Sequence, residues 1–268
     1  MHFLAYFSIL TPSGGASSPG KPYPTNIQQM NWNLLIQKQA EIFYTEFLEG
    51  IAALLVIFLY FSRKNKPKSF RYLVIYATTG LLQSIVIQYK RAQETPSPMD
   101  LRIAHDSLYV YLIVELTCCL LFIKSYLQSK RIKQLILPAI GLFWIFTIYY
   151  WLFKPSNTNF YSEVPTVEGF LVIIPAAYFF YELLTGRPDK DLFTEPAFWT
   201  ISGILVLFTV ITPVFLLLNY FIQNKNALFY KLYITNNIAY TLLFTTFVIA
   251  IASARKPNGA SVRGIKKG

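Results

Sequence analysis

Seven long apolar stretches, separated by short polar segments, dominate the pattern of the chain. They cover residues 43–62, 72–89, 107–127, 135–153, 165–185, 197–223 and 227–253. Each stretch is apolar on all sides and long enough to cross a hydrocarbon layer about 30 Å thick as a helix. Backbone groups in lipid must find their hydrogen-bond partners within the segment, which favours helices. The pattern therefore predicts an all-α polytopic membrane protein with a bundle of seven transmembrane helices.

The distribution of charge predicts the orientation of this bundle. Charged residues make up only 14% of the chain, and most of the 24 Lys and Arg residues follow the first, third, fifth and seventh stretches. Because cytoplasmic loops concentrate Lys and Arg, we expect the N-terminus outside and the C-terminus inside. Topology and contact with anionic membrane lipids account for the net charge of +11. Nucleic acid is therefore not an expected partner.

The two ends of the chain differ from the transmembrane domain predicted at residues 31–254. Residues 1–30 are rich in Gly, Pro and Ser, which is typical of an unpacked segment. They are either a disordered outer tail or the product of a start assigned too early, with Met30 as the true initiator. The second interpretation is slightly favoured, because Met30 leads directly into the approach to the first helix. Residues 255–268 are expected to form a basic cytoplasmic tail, too short for an effector domain.

Polar side chains inside the predicted spans concentrate in the half of the bundle that faces outside. Since polar groups are costly in hydrocarbon, those retained there point to a functional site. The candidate ligand-binding residues are Glu49, Gln83, Glu115, Glu168, Asn236 and Asn237. We expect them to line an outward-facing polar pocket for a small ligand. The alternative is that each is satisfied separately, by headgroup water or by hydrogen bonds between helices.

Glu115 is one of the deeper candidates, with Glu49 and Asn237, and lies about eight residues from the outer end of its span. No basic residue is expected near it, so its carboxyl group is predicted to be protonated or paired with an amide. Two prolines, Pro175 in helix five and Pro213 in helix six, each remove a backbone hydrogen bond and are predicted to kink those helices. They are candidate hinges, with a static kink as the alternative.

Catalytic and metal-binding motifs are not found in the sequence. The chain contains only two histidines, His2 and His105, and no Gly-rich phosphate loop, paired-cysteine metal site or nucleophile elbow. Cys118 and Cys119 are neighbours in helix three, where they are expected to act as small hydrophobic residues. We therefore expect neither an enzyme nor a bound metal or cofactor.

Helices five to seven contain several short motifs. They are VEGFL at residues 167–171, YFFY at 178–181, EPAFW at 195–199, Gly203, residues 234–237 and Tyr240. On these motifs the chain resembles an uncharacterised family of seven-helix bacterial membrane proteins, found chiefly in Bacteroidota and associated with sensor histidine kinases. The resemblance covers residues 160–255 and is one of topology alone over residues 40–155. The chain departs from the family at residues 235–237, where a polar aromatic residue or histidine is expected.

This resemblance implies signal reception and not chemistry. We expect a multi-pass protein of the cell inner membrane that acts as a sensor, a receptor-like protein or an accessory signalling subunit. Its output would pass through a cytoplasmic partner such as a histidine kinase. A small-solute transporter and a structural subunit of a membrane complex are the alternatives. The apolar inner half of the predicted spans argues against transport.

Overall fold

The computed structural model describes residues 32–64, 66–91, 98–153, 162–186, 192–223 and 228–254. Within them lie seven long α-helices: α1 Trp32–Ser62, α2 Phe70–Arg91, α3 Pro98–Tyr126, α4 Lys130–Phe153, α5 Glu163–Gly186, α6 Pro196–Gln223 and α7 Leu228–Ser253. A short 3-10 helix, Leu192–Thr194, precedes α6, and the described residues contain no strand. The predicted tails at residues 1–30 and 255–268 lie outside the described residues.

All seven helices are long and apolar enough to cross a membrane. Their apolar portions are Tyr44–Ser62, Phe70–Tyr89, Asp106–Tyr126, Lys130–Phe153, Glu163–Gly186, Pro196–Leu217 and Ile234–Ser253. These portions overlap the stretches read from the sequence, with the largest differences at the end of the sixth and the start of the seventh, and α1 and α3 both begin well before their spans. The prediction of an all-α bundle of seven transmembrane helices is confirmed, and the chain is a multi-pass membrane protein.

Six of the helices form a closed ring in the order α1, α2, α3, α5, α6, α7, with α7 packed back onto α1. Helix α4 lies outside this ring and contacts α3 and α5. The burial of the spans agrees with this arrangement, because 61% of the α3 span is buried inside the bundle and only 22% of the α4 span. A span that is buried so little presents most of its side chains to lipid.

Contacts at the two ends of the ring establish the relative directions of the helices. Asn237 of α7 donates a hydrogen bond to Thr45 of α1 at one end, over 3.0 Å. At the other end Arg63, just after α1, donates to the carbonyl of Ala252 in α7 over 2.6 Å. Helices α1 and α7 are therefore parallel. We call the end that carries Thr45 and Asn237 the polar end, and the end that carries Arg63 the basic end.

Aromatic side chains fill the centre of the ring. The Tyr76 ring of α2 lies 5.7 Å from that of Phe244 and 6.0 Å from that of Phe247, both of α7, and 6.1 Å from that of Tyr111 of α3. Four helices of the ring meet around this group, since Ile204 of α6 lines the same small space. Large rings packed this closely leave little free volume between the two ends of the bundle.

Two glycines bring neighbouring helices into close approach. Gly169 of α5 lies against Thr212 of α6, and Gly203 of α6 lies against Thr246 of α7, so that a Cβ atom on either glycine would overlap the threonine hydroxyl. Small residues are typical of contacts between membrane helices, because they let the backbones approach closely. Helices α5, α6 and α7 are joined in this way into one tightly packed unit.

The basic end is fastened by side chains that satisfy helix termini. Glu182 of α5 accepts hydrogen bonds from the backbone N–H groups of Gln128 and Ser129, over 2.6 and 2.7 Å, where α4 is about to begin. Arg63 donates to the last carbonyls of α7, those of Ala252 and Ala254. An anion near the N-terminus of a helix and a cation near its C-terminus both interact favourably with the helix dipole.

Candidate functional site

The six candidate residues come from five helices and lie at the polar end of the bundle. All are buried, with 0–4% of each side chain exposed: Glu49 of α1, Gln83 of α2, Glu115 of α3, Glu168 of α5, and Asn236 and Asn237 of α7. Their burial excludes the simplest alternative, in which each side chain reaches water at the membrane surface. The functional role of these residues stays a prediction.

Glu115 lies at the centre of this group and is held by tyrosines. The hydroxyl of Tyr76 donates to Glu115 Oε1 over 2.6 Å, and that of Tyr240 donates to the same oxygen over 3.2 Å. Tyr111, one turn before Glu115 on α3, also interacts with its carboxyl group. The partners of Glu115 are phenol groups from α2, α3 and α7 and not an amide, and the alternative prediction of a protonated carboxyl group stays a prediction.

The ligand-site prediction did not include these tyrosines. The chain has 19 tyrosines, and the number of tyrosines alone gives no reason to single out these three. Spacing carries a weak signal: Tyr111 and Glu115 on α3 are four residues apart, as are Asn236 and Tyr240 on α7, which places each pair on one helix face. Which faces meet across the bundle follows only from the packing.

The other two carboxyl groups lie near the same centre. Tyr240 is close enough to Glu49, Glu115 and Glu168 to interact electrostatically with all three, and Glu115 and Glu168 lie within range of each other's charge. The three glutamates come from α1, α3 and α5, so they converge from separate parts of the ring. Carboxyl groups inside a membrane are expensive to keep, and such residues are usually functional.

Some polar side chains at this end form hydrogen bonds between helices. Asn237 donates to Thr45 of α1 over 3.0 Å, and Gln88 of α2 donates to Glu46 of α1. Both bonds join α1 to a neighbour near the polar end. For Asn237 the alternative interpretation, interhelical hydrogen bonding, explains the residue without a ligand.

Four other polar atoms at this end are buried without a hydrogen-bond partner in the described part of the chain. They are Gln83 Nε2, Glu168 Oε1, Thr212 Oγ1 and Asn236 Nδ2. Buried polar groups are nearly always satisfied, so each exception needs an explanation. Three of these residues were candidates from the sequence, and Thr212 joins them through its contact with Gly169, the neighbour of Glu168.

The two prolines occupy different surroundings. Pro175 is buried in α5, whereas Pro213 is exposed on α6. Both lie inside helices that continue on each side of them. Because proline has no N–H, the carbonyl of Leu171 receives no bond from position 175, and this carbonyl lies one turn from Glu168. The proposed hinge role of both prolines stays a prediction.

A cavity of about 310 Å³ lies at the opposite, basic end of the bundle. Its walls include Tyr126, Gln128, Lys133, Glu182 and Glu195, from the α3–α4 connection and the ends of α4, α5 and α6. Between this cavity and the glutamates, the space enclosed by side chains of α2, α3, α6 and α7 has no room for a water molecule. The two ends are therefore separated by packed side chains.

Metal ligands do not gather at either end. Among the residues that the structure describes, no group of three or more His, Cys, Asp and Glu side chains could hold a metal ion. Cys118 and Cys119 are free thiols buried in α3. The glutamates of the polar end thus come near one another without forming a ligand set for a divalent metal.

The fold and the buried polar cluster define a seven-helix multi-pass membrane protein with an intramembrane carboxyl site. No protein-family model, curated protein or solved structure matches the chain. The resemblance of residues 160–255 to a family associated with histidine kinases accordingly stays a prediction.

Proposed function

We propose that this protein is a receptor-like subunit of the cell inner membrane, which binds a small ligand among its buried glutamates and signals through a cytoplasmic partner. The observation that carries this proposal is the convergence of Glu49, Glu115 and Glu168 from three helices around Tyr240. Polar groups held at a membrane interior by a dedicated hydrogen-bond network are typical of ligand sites. The partner, a histidine kinase or another signalling protein, is proposed from the family resemblance.

Signal transfer would use the contacts that join α1 to α7 at both ends of the bundle. These helices are joined by Asn237 and Thr45 at the polar end and by Arg63 with the last carbonyls of α7 at the basic end. A ligand that moves α7 relative to α1 would disturb the second contact. In the proposed orientation that contact faces the cytoplasm, where the partner would bind.

Crosslinking in native membranes tests this proposal. The tagged full-length protein is mildly crosslinked and purified, and the proteins recovered with it are identified by mass spectrometry. We expect a histidine kinase or response regulator to be enriched with the wild type and with Glu163→Gln, an exposed control on α5. The Glu115→Gln variant should still be crosslinked to the partner, but the signalling activity of that partner should be lost. Recovery of a fixed set of other membrane subunits would instead indicate a structural component.

A small-solute transporter is the second candidate, and the cavity at the basic end favours it. The buried polar side chains of one end and the cavity of the other lie on opposite sides of a packed centre, an arrangement compatible with alternating access. Transport would require the side chains around Tyr76 to separate, since they leave no room for water. Solute flux into vesicles that contain the purified protein would support transport. If no flux is measured and a signalling partner is recovered by crosslinking, the receptor function is supported instead.

A further inference from the structure

The cavity of about 310 Å³ at the basic end lies where α4 meets the ring of helices. Its ionisable walls come from four elements: Tyr126 at the end of α3, Lys133 of α4, Glu182 of α5 and Glu195, which directly precedes α6. The α3 span ends at Tyr126 and the α6 span begins at Pro196. The cavity therefore lies at the level of the lipid headgroups and not within the hydrocarbon.

Opposite charges share this cavity without meeting. Lys133, Glu182 and Glu195 are all half-buried in its walls. The ammonium group of Lys133 nevertheless forms no hydrogen bond or ion pair in the part of the chain that the structure describes. Glu182 is held instead by the backbone N–H groups of Gln128 and Ser129. Opposite charges attract strongly where water is partly excluded, so their separation leaves a place for a group that carries both charges.

The walls favour a ligand that combines a primary ammonium with a phosphate. Two carboxylates face one lysine, so an anion alone would be repelled. A primary ammonium donates strong hydrogen bonds to a carboxylate, and a phosphate accepts them from a lysine. At about 30 Å³ for each water-sized group, the cavity holds roughly ten non-hydrogen atoms, and an ethanolamine phosphate group has about eight.

Apolar side chains lie beside the cavity on both neighbouring helices. Phe179 and Leu183 of α5 are buried in its wall. Leu184, the next residue, is 74% exposed, and Leu135, two positions after Lys133 on α4, is 62% exposed. Acyl chains pack on such surfaces as readily as leucine side chains do. A lipid with its headgroup in the cavity can therefore keep its chains in the hydrocarbon.

We propose that this cavity binds a phospholipid headgroup that contains a primary ammonium and a phosphate, as in phosphatidylethanolamine. The phosphate binds Lys133 and the ammonium binds Glu195. In the proposed orientation the cavity opens to the cytoplasmic leaflet, where pockets with basic residues between membrane helices are known to hold headgroups. The bound lipid joins α4, which lies outside the ring, to the start of α6. This inference goes beyond the proposed receptor, whose glutamates lie at the polar end.

Native mass spectrometry of the full-length protein, titrated with lipids of identical acyl chains, tests the headgroup. The lipids are phosphatidylethanolamine, phosphatidylcholine and phosphatidylglycerol. We expect the wild type to bind the first about tenfold or more tightly than either of the others. The trimethylated ammonium of phosphatidylcholine cannot donate hydrogen bonds, and phosphatidylglycerol has no ammonium. Equal affinity for the three lipids refutes the inference, and this comparison needs no variant that could fail to fold.

Two variants test the assigned residues. Lys133→Gln and Glu195→Gln should each weaken the binding of phosphatidylethanolamine about tenfold, because each removes one charged hydrogen bond. Lys130→Gln is the matched control for the lysine, since Lys130 is exposed one turn earlier on α4 and does not line the cavity. Glu163→Gln, exposed on α5, is the control for the glutamate. An equal loss in Lys130→Gln would assign the binding to general surface charge and overturn the proposed site.

Calorimetric titration of free phosphoethanolamine into the protein in phosphatidylcholine nanodiscs distinguishes the two sources of this chemistry. No binding of the free compound, together with the preference for phosphatidylethanolamine, supports the lipid. Saturable binding that Lys133→Gln abolishes would assign the cavity to a soluble zwitterion and overturn the lipid source. Neither result depends on recovery of a signalling partner, so the receptor proposal stands or falls separately.

Discussion

Replacing Gly169 by alanine adds a methyl group at the closest approach of α5 and α6. Its Cβ atom would overlap the Thr212 hydroxyl and would lie 2.9 Å from Thr212 Cβ and 3.0 Å from Thr212 Cγ2, where carbon atoms normally pack about 3.5–4.0 Å apart. Overpacking of this kind costs about 1–3 kcal/mol. Alanine also gains about 1 kcal/mol of helix propensity over glycine, so the net loss is expected to be about 0–2 kcal/mol.

The control substitution is expected to change the stability of the protein in the opposite direction. Gly141 lies inside α4, and an added Cβ atom there meets nothing within 4 Å. Gly141→Ala is therefore expected to stabilise the protein by up to about 1 kcal/mol through helix propensity alone. The difference between the two alanine variants, about 1–3 kcal/mol, measures the contact of Gly169 with Thr212 without the propensity term.

A double mutant isolates the clash from other effects. Thr212→Ala removes the hydroxyl and the Cγ2 atom, so it should recover part of the loss in Gly169→Ala, and the remaining Cβ–Cβ contact keeps the recovery incomplete. The assay is reversible unfolding of the purified protein in mixed detergent micelles, followed by helical circular dichroism. Equal stability of Gly169→Ala and Gly141→Ala would refute the close packing of α5 on α6.

Four further substitutions test the contacts of Glu115 and of the basic end. Tyr76→Phe should destabilise the protein by about 1–3 kcal/mol and Tyr240→Phe by less. The reason is that the hydrogen bond from Tyr76 to Glu115 is 2.6 Å long, whereas the one from Tyr240 is 3.2 Å. Thermal unfolding of the two variants measures the difference. Arg63→Gln should loosen the end of α7 by about 0.5–1 kcal/mol, seen as faster amide hydrogen exchange there. Glu182→Gln should lose about 1 kcal/mol, because the uncharged amide has a single acceptor oxygen and can keep only one of the two backbone bonds, and hydrogen exchange at the start of α4 should rise.

Exposed residues of the same chemical type serve as controls for these substitutions. Tyr149→Phe changes an exposed phenol on α4, Lys64→Gln a basic residue beside Arg63, and Glu163→Gln an exposed carboxylate on α5. All three should leave stability within about 0.5 kcal/mol of the wild type. A loss in Tyr240→Phe as large as in Tyr76→Phe would contradict the hydrogen-bond lengths, and unchanged exchange at α7 would contradict the role of Arg63.

The number and limits of the helices could be predicted from sequence because lipid imposes a single requirement on every residue of a span. A stretch such as 107–127 must be predominantly apolar, and this is visible without knowing its neighbours. The position of α4 outside the ring could not be predicted, since its apolar stretch is as long as that of the central α3. Burial inside protein and exposure to lipid both select apolar side chains.

The candidate site was predictable in part for the same reason. Glu115 and Glu168 stand out in the sequence because a carboxyl group is rare within an apolar span. Their surroundings do not stand out: Tyr76 and Tyr240 are two among 19 tyrosines, and Thr212 one among many hydroxyl residues. Which of these side chains meets a glutamate depends on helix rotation and on the Gly169 contact, and both are properties of the packed bundle.

Hydrogen bonding divides the polar residues of the bundle into two groups with different explanations. Asn237 with Thr45, and Gln88 with Glu46, form closed pairs between helices, and packing alone accounts for them. Glu168 and Thr212 each keep an oxygen without a partner in the described part of the chain, although both are almost fully buried. An apolar residue at either position would avoid this cost. Packing alone therefore accounts for the first group and not for the second.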